Sequence, residues 1–498
     1  MALIQITDLT FTYPGSFDPV FEHVSFQLDT DWRLGLTGRN GRGKTTLLRL
    51  LQGQYPHQGT ITAPGGFEYF PYPIPDAALT PLELLECSFP DVPQWRLRRE
   101  LAPLFVTDDA LYRPFSTLSG GEQAKILLAL LFAREGRYLL IDEPTNHLDE
   151  TGRALVSRYL AKKSGFLLVS HDRAFLDGCV DHILSINRGG IEVQKGNFSS
   201  WYENRRRQDA FELAQNAQLK KEIGRLKQAA RQSRAWADKV ESTKIGPHSA
   251  KVTGEADAMG GRAYIGEQSR RMQQRRKNLE RRQNAAIEEK SALLKNIEQA
   301  APLKLHQLPY HTDRLALLRD VSVCYGGAPV CRGVSFCVEQ GDRIALRGAN
   351  GTGKTSLLRL LCGEDVPHTG TVERSSRLRI SYVRQDPSGL RGDLGAYAAR
   401  YGLDESLFKA ILRKLDFARV QFEKDMADFS AGQKKKVLLA RSLCEPSHLL
   451  VWDEPLNYVD VLSRMQIEDL LLEFQPTIVF VEHDRVFCNH VATKAVML

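Results

Sequence analysis

The 498-residue sequence predicts an α/β protein in which two similar domains are joined by a long α-helical hairpin. Three observations support this fold class. A sequence repeat spans both ends of the chain, apolar β-rich runs alternate with helix-like stretches in each copy, and the segment between the copies is rich in helix-favouring residues. The 42% hydrophobic and 26% charged residues are typical of a globular protein.

The repeat is clearest in a glycine-rich stretch. Residues 38–51 (GRNGRGKTTLLRLL) recur as residues 348–361 (GANGTGKTSLLRLL), at an offset of 310. Further pairs keep an offset of 311 or 312: Ser119 and Ser430, Asp142 and Asp453, Tyr13 and Tyr325, His171 and His483. Chance matches would not stay in register in this way. We therefore expect three units: a first domain at residues 1–203, a linker at 204–305 and a second domain at 306–498.

The apolar runs in each copy have the length and composition of buried strands, and each is bounded by turn residues or charges. Alternation of such strands with helices predicts a largely parallel sheet. The predicted strands are residues 33–37, 138–141 and 166–169 in the first copy and 343–346, 449–452 and 477–481 in the second.

The linker is predicted to form two helical arms, at residues 209–236 and 269–300. Helices of these lengths would extend ~42 and ~48 Å. Each arm carries a narrow apolar stripe that suits antiparallel pairing: Leu219, Ile223, Leu226 and Ala230, and Leu279, Ala286, Leu293 and Ile297. Residues 240–266 hold five glycines and a proline, so we expect the tip of the hairpin there.

The excess positive charge is confined to the linker. Residues 204–300 hold 22 Lys and Arg against 12 Asp and Glu, a balance of +10, whereas the rest of the chain balances to −3. A solvated charged coiled coil is the simplest interpretation of such a segment. The asymmetry between linker and domains favours a polyanionic partner for the linker.

Secretion and membrane insertion are disfavoured. The longest apolar run, residues 126–133, is far shorter than the ~20 residues that span a bilayer. The first residues do not resemble a signal peptide. The eight cysteines are scattered without a C-x-x-C pair, as expected of free thiols in a reducing compartment. We therefore expect a cytoplasmic protein without a membrane partner.

Both copies contain Gly-x-x-x-x-Gly-Lys-Thr after a strand, a pattern that predicts a phosphate cradle built from backbone N–H groups. Lys44 and Lys354 would neutralise the β- and γ-phosphates of ATP, and Thr45 and Thr355 would ligate Mg²⁺. A simple glycine-rich turn is the alternative, but two occurrences in the same context argue against it. The further nucleotide contacts are expected at Gly38, Asn40, Gly41, Gly43 and Thr46, and at Gly348, Asn350, Gly351, Gly353 and Ser356.

Paired carboxylates follow a predicted strand in each copy. Asp142 and Asp453 end an apolar strand, where a Mg²⁺ ligand is needed. Glu143 and Glu454 come next and are expected to polarise the water that attacks the γ-phosphate. A surface turn is the alternative for each pair, and the neighbouring cradles disfavour it.

Residues 118–123 (LSGGEQ), 142–149 (DEPTNHLD) and 170–172 (SHD) together resemble the ATP-binding-cassette family. The resemblance implies two P-loop ATP-binding-cassette domains in tandem, ATPase activity and intramolecular head-to-tail pairing in a monomer. Each ATP would then lie between the lysine loop of one domain and the signature loop of the other. The signature residues are Ser119, Gly120 and Gly121, and Ser430, Ala431 and Gly432.

The same resemblance implies several single contacts. Tyr13 and Tyr325 would stack on adenine, His171 and His483 would contact the γ-phosphate, and Gln385 would join the Mg²⁺ site. The first domain has Tyr72 where cassettes usually carry that glutamine, and the second signature reads FSAGQ. Head-to-tail pairing would place both departures in the Lys44 site. We therefore expect this site to turn over more slowly and mainly to hold ATP.

Two cassettes joined by a long basic hairpin resemble the ABC-F proteins, which act on ribosomes. The DEPTNHLD motif and residues 195–202 (KGNFSSWY), followed by three arginines, are typical of that group. Ribosomal RNA would supply the polyanion. Within the group, the chain is similar to the Lsa-type antibiotic-resistance proteins: the interval Tyr72–Ser119 is 47 residues, too short for the arm insertion of several housekeeping members, and we expect no C-terminal tail.

This resemblance implies target protection. The ATP-bound protein would occupy the ribosomal exit site, near exit-site tRNA and large-subunit rRNA, and the linker tip would reach the peptidyl-transferase centre and release bound drug. Lincosamides, streptogramin A compounds and pleuromutilins are the expected drugs. Two alternatives are a housekeeping translation factor of the same family and a tandem ATPase subunit of a membrane importer. Importers join their cassettes by short linkers, so the basic insertion disfavours that alternative.

Overall fold

The computed structural model describes residues 2–15, 19–146, 148–187, 190–244, 274, 281, 305, 307–325 and 328–498. It divides into two compact units. One unit consists of Met1–Trp201 with Ala300–Leu498 and contains both copies of the repeat. The other, Tyr202–Gln299, contains most of the linker.

The first domain contains two sheets. The larger has the order β5-β6-β7-β3-β8-β9 and is parallel except for the β8–β9 pair, and the smaller is antiparallel with the order β2-β1-β4. The strands are β1 (Leu3–Phe11), β2 (Phe21–Asp29), β3 (Arg33–Thr37), β4 (Gln58–Thr62), β5 (Phe67–Phe70), β6 (Tyr138–Asp142), β7 (Phe166–Val169), β8 (His182–Asn187) and β9 (Gly190–Lys195). The helices are α1 (Lys44–Leu51), α2 (Pro81–Ser88), α3 (Gln94–Leu101), α4 (Gly120–Ala133), α5 (Glu150–Leu160) and α6 (Arg173–Cys179), with short 3₁₀ helices at Ala102–Leu104, Asp108–Leu111 and Phe115–Thr117.

The second domain repeats this plan. Its parallel sheet has the order β14-β15-β16-β12-β17, and its antiparallel sheet has the order β11-β10-β13. The strands are β10 (Arg314–Tyr325), β11 (Ala328–Glu339), β12 (Arg343–Arg347), β13 (His368–Arg374), β14 (Ile380–Val383), β15 (Leu449–Asp453), β16 (Ile478–Val481) and β17 (Lys494–Met497). The helices are α8 (Lys354–Cys362), α9 (Leu394–Arg400), α10 (Glu405–Lys414), α11 (Ala431–Cys444), α12 (Val461–Phe474) and α13 (Arg485–Val491), with 3₁₀ helices at Arg419–Glu423 and Met426–Asp428.

The predicted α/β class with two tandem domains is confirmed, and the six predicted strands are present within one residue of their expected ends. Strands β7, β15 and β16 consist wholly of buried residues, because helices cover both faces of a parallel sheet. The antiparallel sheets were not predicted. In β1, buried and exposed residues alternate only in part, and the pairing of β1 with β2 shifts register twice. The alternation of apolar and polar residues that marks a strand in the sequence is therefore weak here.

The first linker helix is longer than predicted. Helix α7 spans Phe198–Lys244, so it begins eleven residues before the expected arm and ends eight residues after it. The backbone N–H of Ser200 donates to Oδ1 of Asn197 at 3.0 Å, which caps the start of the helix, and Phe198 and Trp201 are buried. Residues 240–244, expected in the tip, continue the helix. The remainder of the tip and almost all of the second arm lie outside the described residues.

Within the described ranges, no helix is long and apolar enough to cross a membrane.

Two equivalent arginines join the domains, but they differ in burial. Arg173 on α6 forms an ion pair with Glu468 on α12 and lies 4.0 Å from Asp484, and all three side chains are buried. Nδ1 of His490 contacts the same glutamate at 2.6 Å. At the equivalent position in the second domain, Arg485 lies 3.5 Å from Glu150, with exposed fractions of 67% and 48%. The equivalent arginines therefore form ion pairs with non-equivalent glutamates, buried for Arg173 and solvent-exposed for Arg485.

This difference predicts unequal effects of equivalent substitutions. Arg173→Met leaves Glu468 buried without its main partner, so we expect the free energy of unfolding to fall by about 3–5 kcal/mol. Arg485→Met removes an exposed pair and should cost about 1 kcal/mol or less. Urea unfolding followed by tryptophan fluorescence measures both. Equal midpoints for the two variants would contradict the assignment.

Candidate nucleotide-binding sites

The two glycine-rich loops have nearly the same backbone conformation. Gly41 and Gly43 have φ of 82° and 86°, and Gly351 and Gly353 have φ of 82° and 84°. Left-handed residues of this kind turn successive N–H groups toward one point, which suits an anion. A Cβ on Gly43 would also lie 2.6 Å from Cγ1 of Val20. The loops end where α1 and α8 begin, at the helix N-termini that attract phosphate.

The cradle lysines bond to their own loops. Nζ of Lys44 donates to the carbonyl oxygens of Gly38 at 2.7 Å and Arg39 at 3.3 Å, and to Oδ1 of Asn40 at 3.2 Å. Nζ of Lys354 donates to the carbonyl oxygens of Gly348 and Ala349 at 2.9 and 2.7 Å. Burial lowers the pKa of both lysines. Each ammonium is therefore held within its loop, close to where phosphates would lie.

The strand-end aspartates provide oxygen ligands for a divalent cation. Oδ2 of Asp142 accepts hydrogen bonds from Tyr69 at 2.9 Å and from Thr45 at 3.4 Å. Asp453 is fully buried, and the Thr355 hydroxyl lies beside its carboxylate. Burial raises its pKa to about 6. Buried carboxylate oxygens beside a phosphate cradle are what a Mg²⁺ site requires.

The glutamate after each aspartate lies close to the predicted histidine. Nε2 of His171 is 3.3 Å from Oε1 of Glu143, and the same distance separates His483 from Glu454. Both glutamates have a left-handed backbone, with φ of 50° and 45°. Non-glycine residues in this region are strained and cluster at functional sites. The repeat thus reproduces the Glu–His geometry in both domains.

The electrostatic environments of the two glutamates differ. Burial raises the pKa of Glu143 to about 8, and the charge of Asp142 adds to this effect. Burial also acts to raise the pKa of Glu454, but His483, Gln385 and Lys435 outweigh it and the pKa is lowered. Burial lowers the pKa of His171.

A cavity of about 490 Å³ brings together residues from both domains. The first domain contributes Gly120 of the signature loop, with Asn146 and Leu148. The second domain contributes Val330, Asn350, Gly351, Gly353, Lys354, Thr355, Ser356, Gln385, Glu454 and His483. One signature loop therefore shares a cavity with the other domain's cradle.

The first cradle meets the second signature loop. Nδ2 of Asn40 donates to the carbonyl oxygen of Tyr458 at 3.0 Å. A Cβ on Gly432 would lie 2.4 Å from that oxygen and 3.2 Å from Nδ2 of Asn40. Gly432 is therefore packed directly against the first cradle, and the negative charge of Asp460 acts on Lys44.

The signature serines cap the helices that follow them. Oγ of Ser119 accepts from the N–H of Glu122, and Oγ of Ser430 accepts from the N–H of Gln433, both at 3.3 Å. Each glutamate or glutamine side chain bonds back to the N–H of its serine, which completes a capping box. Gly120 and Ala431 begin the helices, and Gly121 and Gly432 follow them in the first turn. The N-terminus of α4 and the N-terminus of α11 are thus each part of a signature loop.

The predicted aromatic residues lie at the starts of the cradle helices. The hydroxyl of Tyr13 is 2.7 Å from Oγ1 of Thr46, and the hydroxyl of Tyr325 is 3.1 Å from Oγ of Ser356. Their exposed fractions are 37% and 44%, so both rings are accessible to a base. The ring of Tyr72 packs against Phe89 at a centroid distance of 5.0 Å. His147, part of the DEPTNHLD motif, lies outside the described residues.

Several contacts at these sites were not predicted. They involve Asn146, Leu148 and Val330 in the cavity, Tyr458 and Asp460 beside the first cradle, and Tyr69 on Asp142. Asn146 and Leu148 belong to the recognised DEPTNHLD motif, and Asp460 repeats Asp149 at an offset of 311. Their positions within this motif could therefore have identified them from the sequence. Val330 and Tyr69 lie on strands that carry no motif.

Comparisons with known proteins agree with this geometry. A family model described as ABC transporter matches residues 21–68 and 331–457. Ribosome protection protein VmlR of Bacillus subtilis is 26% identical over 99% of this chain and 87% of its own length. ATP-binding protein Uup of Caulobacter vibrioides is 28% identical over 96% of this chain and 75% of its own length. The solved structure of the archaeal ribosome recycling factor aABCE1 with stalk protein aP1 has a TM-score of 0.62 at 17% identity, covering 98% of this chain and 87% of that one, a likeness of fold.

Two cradles with paired carboxylates, each facing a signature loop, together with these matches, define an ATP-binding-cassette ATPase. Its cassettes bind ATP. Within that class, the chain is similar to ABC-F proteins over nearly its whole length.

Proposed function

We propose that the protein binds one Mg²⁺–ATP at each composite site and hydrolyses it there. The single observation that carries this proposal is the shared cavity of Gly120 and Lys354. Lys44 and Lys354 would hold the phosphates, while Glu143 and Glu454 would orient the attacking water. Thr45 and Asp142, and Thr355, Asp453 and Gln385, would hold Mg²⁺. When bound, this ion neutralises charge that develops on the phosphates.

We further propose that the Lys44 site is the slower of the two. Gln385 lines the cavity of the Lys354 site and interacts with Glu454. Its counterpart Tyr72 cannot supply an amide and packs on Phe89 instead. The signature loop facing Lys44 also has Ala431 in place of the glycine that lines the other cavity. Both departures fall on the same site.

This asymmetry predicts unequal effects of equivalent glutamine substitutions. Glu454→Gln should remove most of the single-turnover hydrolysis, because it disables the site with the intact glutamine and signature loop. Glu143→Gln should reduce total hydrolysis by about twofold or less, against the ~10²–10⁴-fold typical of losing a general base at the site that dominates turnover. Rapid-quench assays with excess enzyme measure both. Equal losses would reject the asymmetry.

We propose the ribosome as the partner of the ATP-bound form and a cytoplasmic location. VmlR, whose name describes it as a ribosome protection protein, matches this chain over 99% of its length, including the linker. The linker carries the +10 charge balance, and Arg206 and Arg207 are exposed on α7. Arginines and lysines that neutralise phosphates give salt-dependent binding to RNA. A match through the linker also disfavours the importer alternative, in which short linkers join the cassettes.

The double variant Glu143→Gln/Glu454→Gln should sediment with ribosomes in the presence of ATP, because slowed hydrolysis preserves the paired state. Without ATP the same protein should remain in the supernatant. Lys44→Ala/Lys354→Ala, which weakens nucleotide binding, is the matched control and should not sediment in either condition. Absence of ATP-dependent sedimentation at physiological salt would remove the ribosome from the proposal.

For the biological role we propose antibiotic resistance by target protection. The similarity to VmlR and the short Tyr72–Ser119 interval support this role. The alternative is a housekeeping translation factor, because Uup, described only as ATP-binding, matches the chain about as well as VmlR does. The two roles differ in what the linker tip does to a bound drug.

Expression in a drug-sensitive bacterium separates these roles. For target protection, we expect higher minimal inhibitory concentrations of lincosamides, streptogramin A compounds and pleuromutilins. Replacing residues 246–266 by a Gly/Ser segment of equal length should abolish the protection and leave ATPase activity and ribosome sedimentation in place. No change in inhibitory concentration on expression of the unaltered protein would favour the housekeeping role.

A further inference from the structure

A lysine is buried beneath the second nucleotide site. Lys435 lies on α11, five residues after Ser430, and is fully buried. Its ammonium donates to the carbonyl oxygen of Arg384 at 2.9 Å and lies 3.4 Å from the carbonyl oxygen of Asp453. A buried ammonium carries a large desolvation cost, so it persists only where hydrogen bonds and opposite charges compensate. Here Glu482, Asp453 and Glu454 supply the charges.

The fold does not require this lysine. At an offset of 311, the equivalent residue of the first domain is Ala124, which is also buried, on helix α4. An apolar side chain therefore satisfies the same packing position in the sister domain. The ammonium is specific to the second domain, whose cradle contains Lys354.

The two carbonyl groups belong to the segments that carry the site. Arg384 immediately precedes Gln385, and Asp453 immediately precedes Glu454. One ammonium therefore connects the loop that presents Gln385 to the strand end that presents Asp453 and Glu454. The adjacent lysine is used differently: Nζ of Lys436 donates to Asp460 at 2.8 Å and to the carbonyl oxygen of Leu415 at 2.7 Å.

We propose that Lys435 is a positioning residue of the Lys354 site, where its hydrogen bonds fix Gln385 relative to Asp453 and Glu454. This inference rests on the proposed hydrolysis at that site. In the first domain, Ala124 cannot donate to the equivalent carbonyls, so the corresponding loop and strand end are not joined in this way. Lys435 contacts no substrate in this arrangement, and it acts through the backbone of the two segments.

The test uses variants in which only one site turns over. In the Glu143→Gln background, Lys435→Met should lower kcat about tenfold or more, because small misplacements of reacting groups are costly. KM for ATP should change by about twofold or less, since the cradle itself is intact. The Mg²⁺ concentration for half-maximal rate should rise, because Asp453 and Gln385 are no longer held together. A merely structural role would not produce this combination.

Three controls make the outcome decisive. In the Glu454→Gln background, Lys435→Met should leave the residual turnover within about twofold. Lys434→Met, which alters the neighbouring lysine that donates to the carbonyl oxygen of Ala427 at 3.1 Å, should leave kcat unchanged. Lys435→Ala, which copies Ala124, serves as a second variant should Lys435→Met fail to fold, and thermal unfolding checks both.

An unchanged kcat for Lys435→Met in the Glu143→Gln background would overturn the inference. So would equal losses in the two backgrounds, which would indicate a general folding defect. Lys354→Ala in the Glu143→Gln background distinguishes this failure from failure of the proposed function. If Lys354→Ala abolishes turnover while Lys435→Met does not alter it, only the role of Lys435 is rejected. If Lys354→Ala retains turnover, the assignment of the site fails and the inference fails with it.

Discussion

The rest of the structure depends on the contact between each phosphate cradle and the signature loop of the other domain. Gly120 and Lys354 share a cavity although more than two hundred residues separate them, and Gly432 packs against Asn40. A triphosphate carries more negative charge than one glycine-rich loop neutralises, and a helix N-terminus on the opposite side adds donors where charge remains. Under the proposed function, nucleotide binding would therefore strengthen the same contact that pairs the domains.

The sequence predicted those parts of the molecule whose chemistry restricts the residue type. The cradles need glycine where φ is positive, and the strand ends need carboxylates. The structure has positive-φ glycines and strand-end aspartates at the predicted positions, while their nucleotide and metal contacts stay predictions. The antiparallel sheets and the full length of α7 were missed, because they depend on strand pairing and on a cap at Asn197. The contact of Asn40 with Tyr458 was missed as well, since no spacing rule reports a contact across an interface.

The duplication preserved the backbone of the sites more strictly than their side chains. Glycine φ values agree within a few degrees, and both Glu–His pairs are separated by 3.3 Å. By contrast, Tyr72 replaces the counterpart of Gln385, and Ala124 replaces the counterpart of Lys435. Backbone geometry shapes the phosphate cradle, whereas under the proposed function these side chains would adjust the positions of water and metal. Divergence of the two copies can thus change the rate of ATP hydrolysis while phosphate binding is retained.

The domain contacts extend this asymmetry beyond the sites. Arg173 and Arg464 lie beside Asp484, and the charge of Arg464 acts on Glu143 and His171, so the buried ion pairs adjoin the Lys44 site. Arg485 instead lines a cavity of about 250 Å³ that shares His483 with the Lys354 site. Exposed ion pairs contribute about 0–1 kcal/mol, so the pair of Arg485 with Glu150 adds little attraction on that side. Under the proposed function, hydrolysis at the Lys354 site would therefore remove a larger fraction of the local attraction than hydrolysis at the Lys44 site.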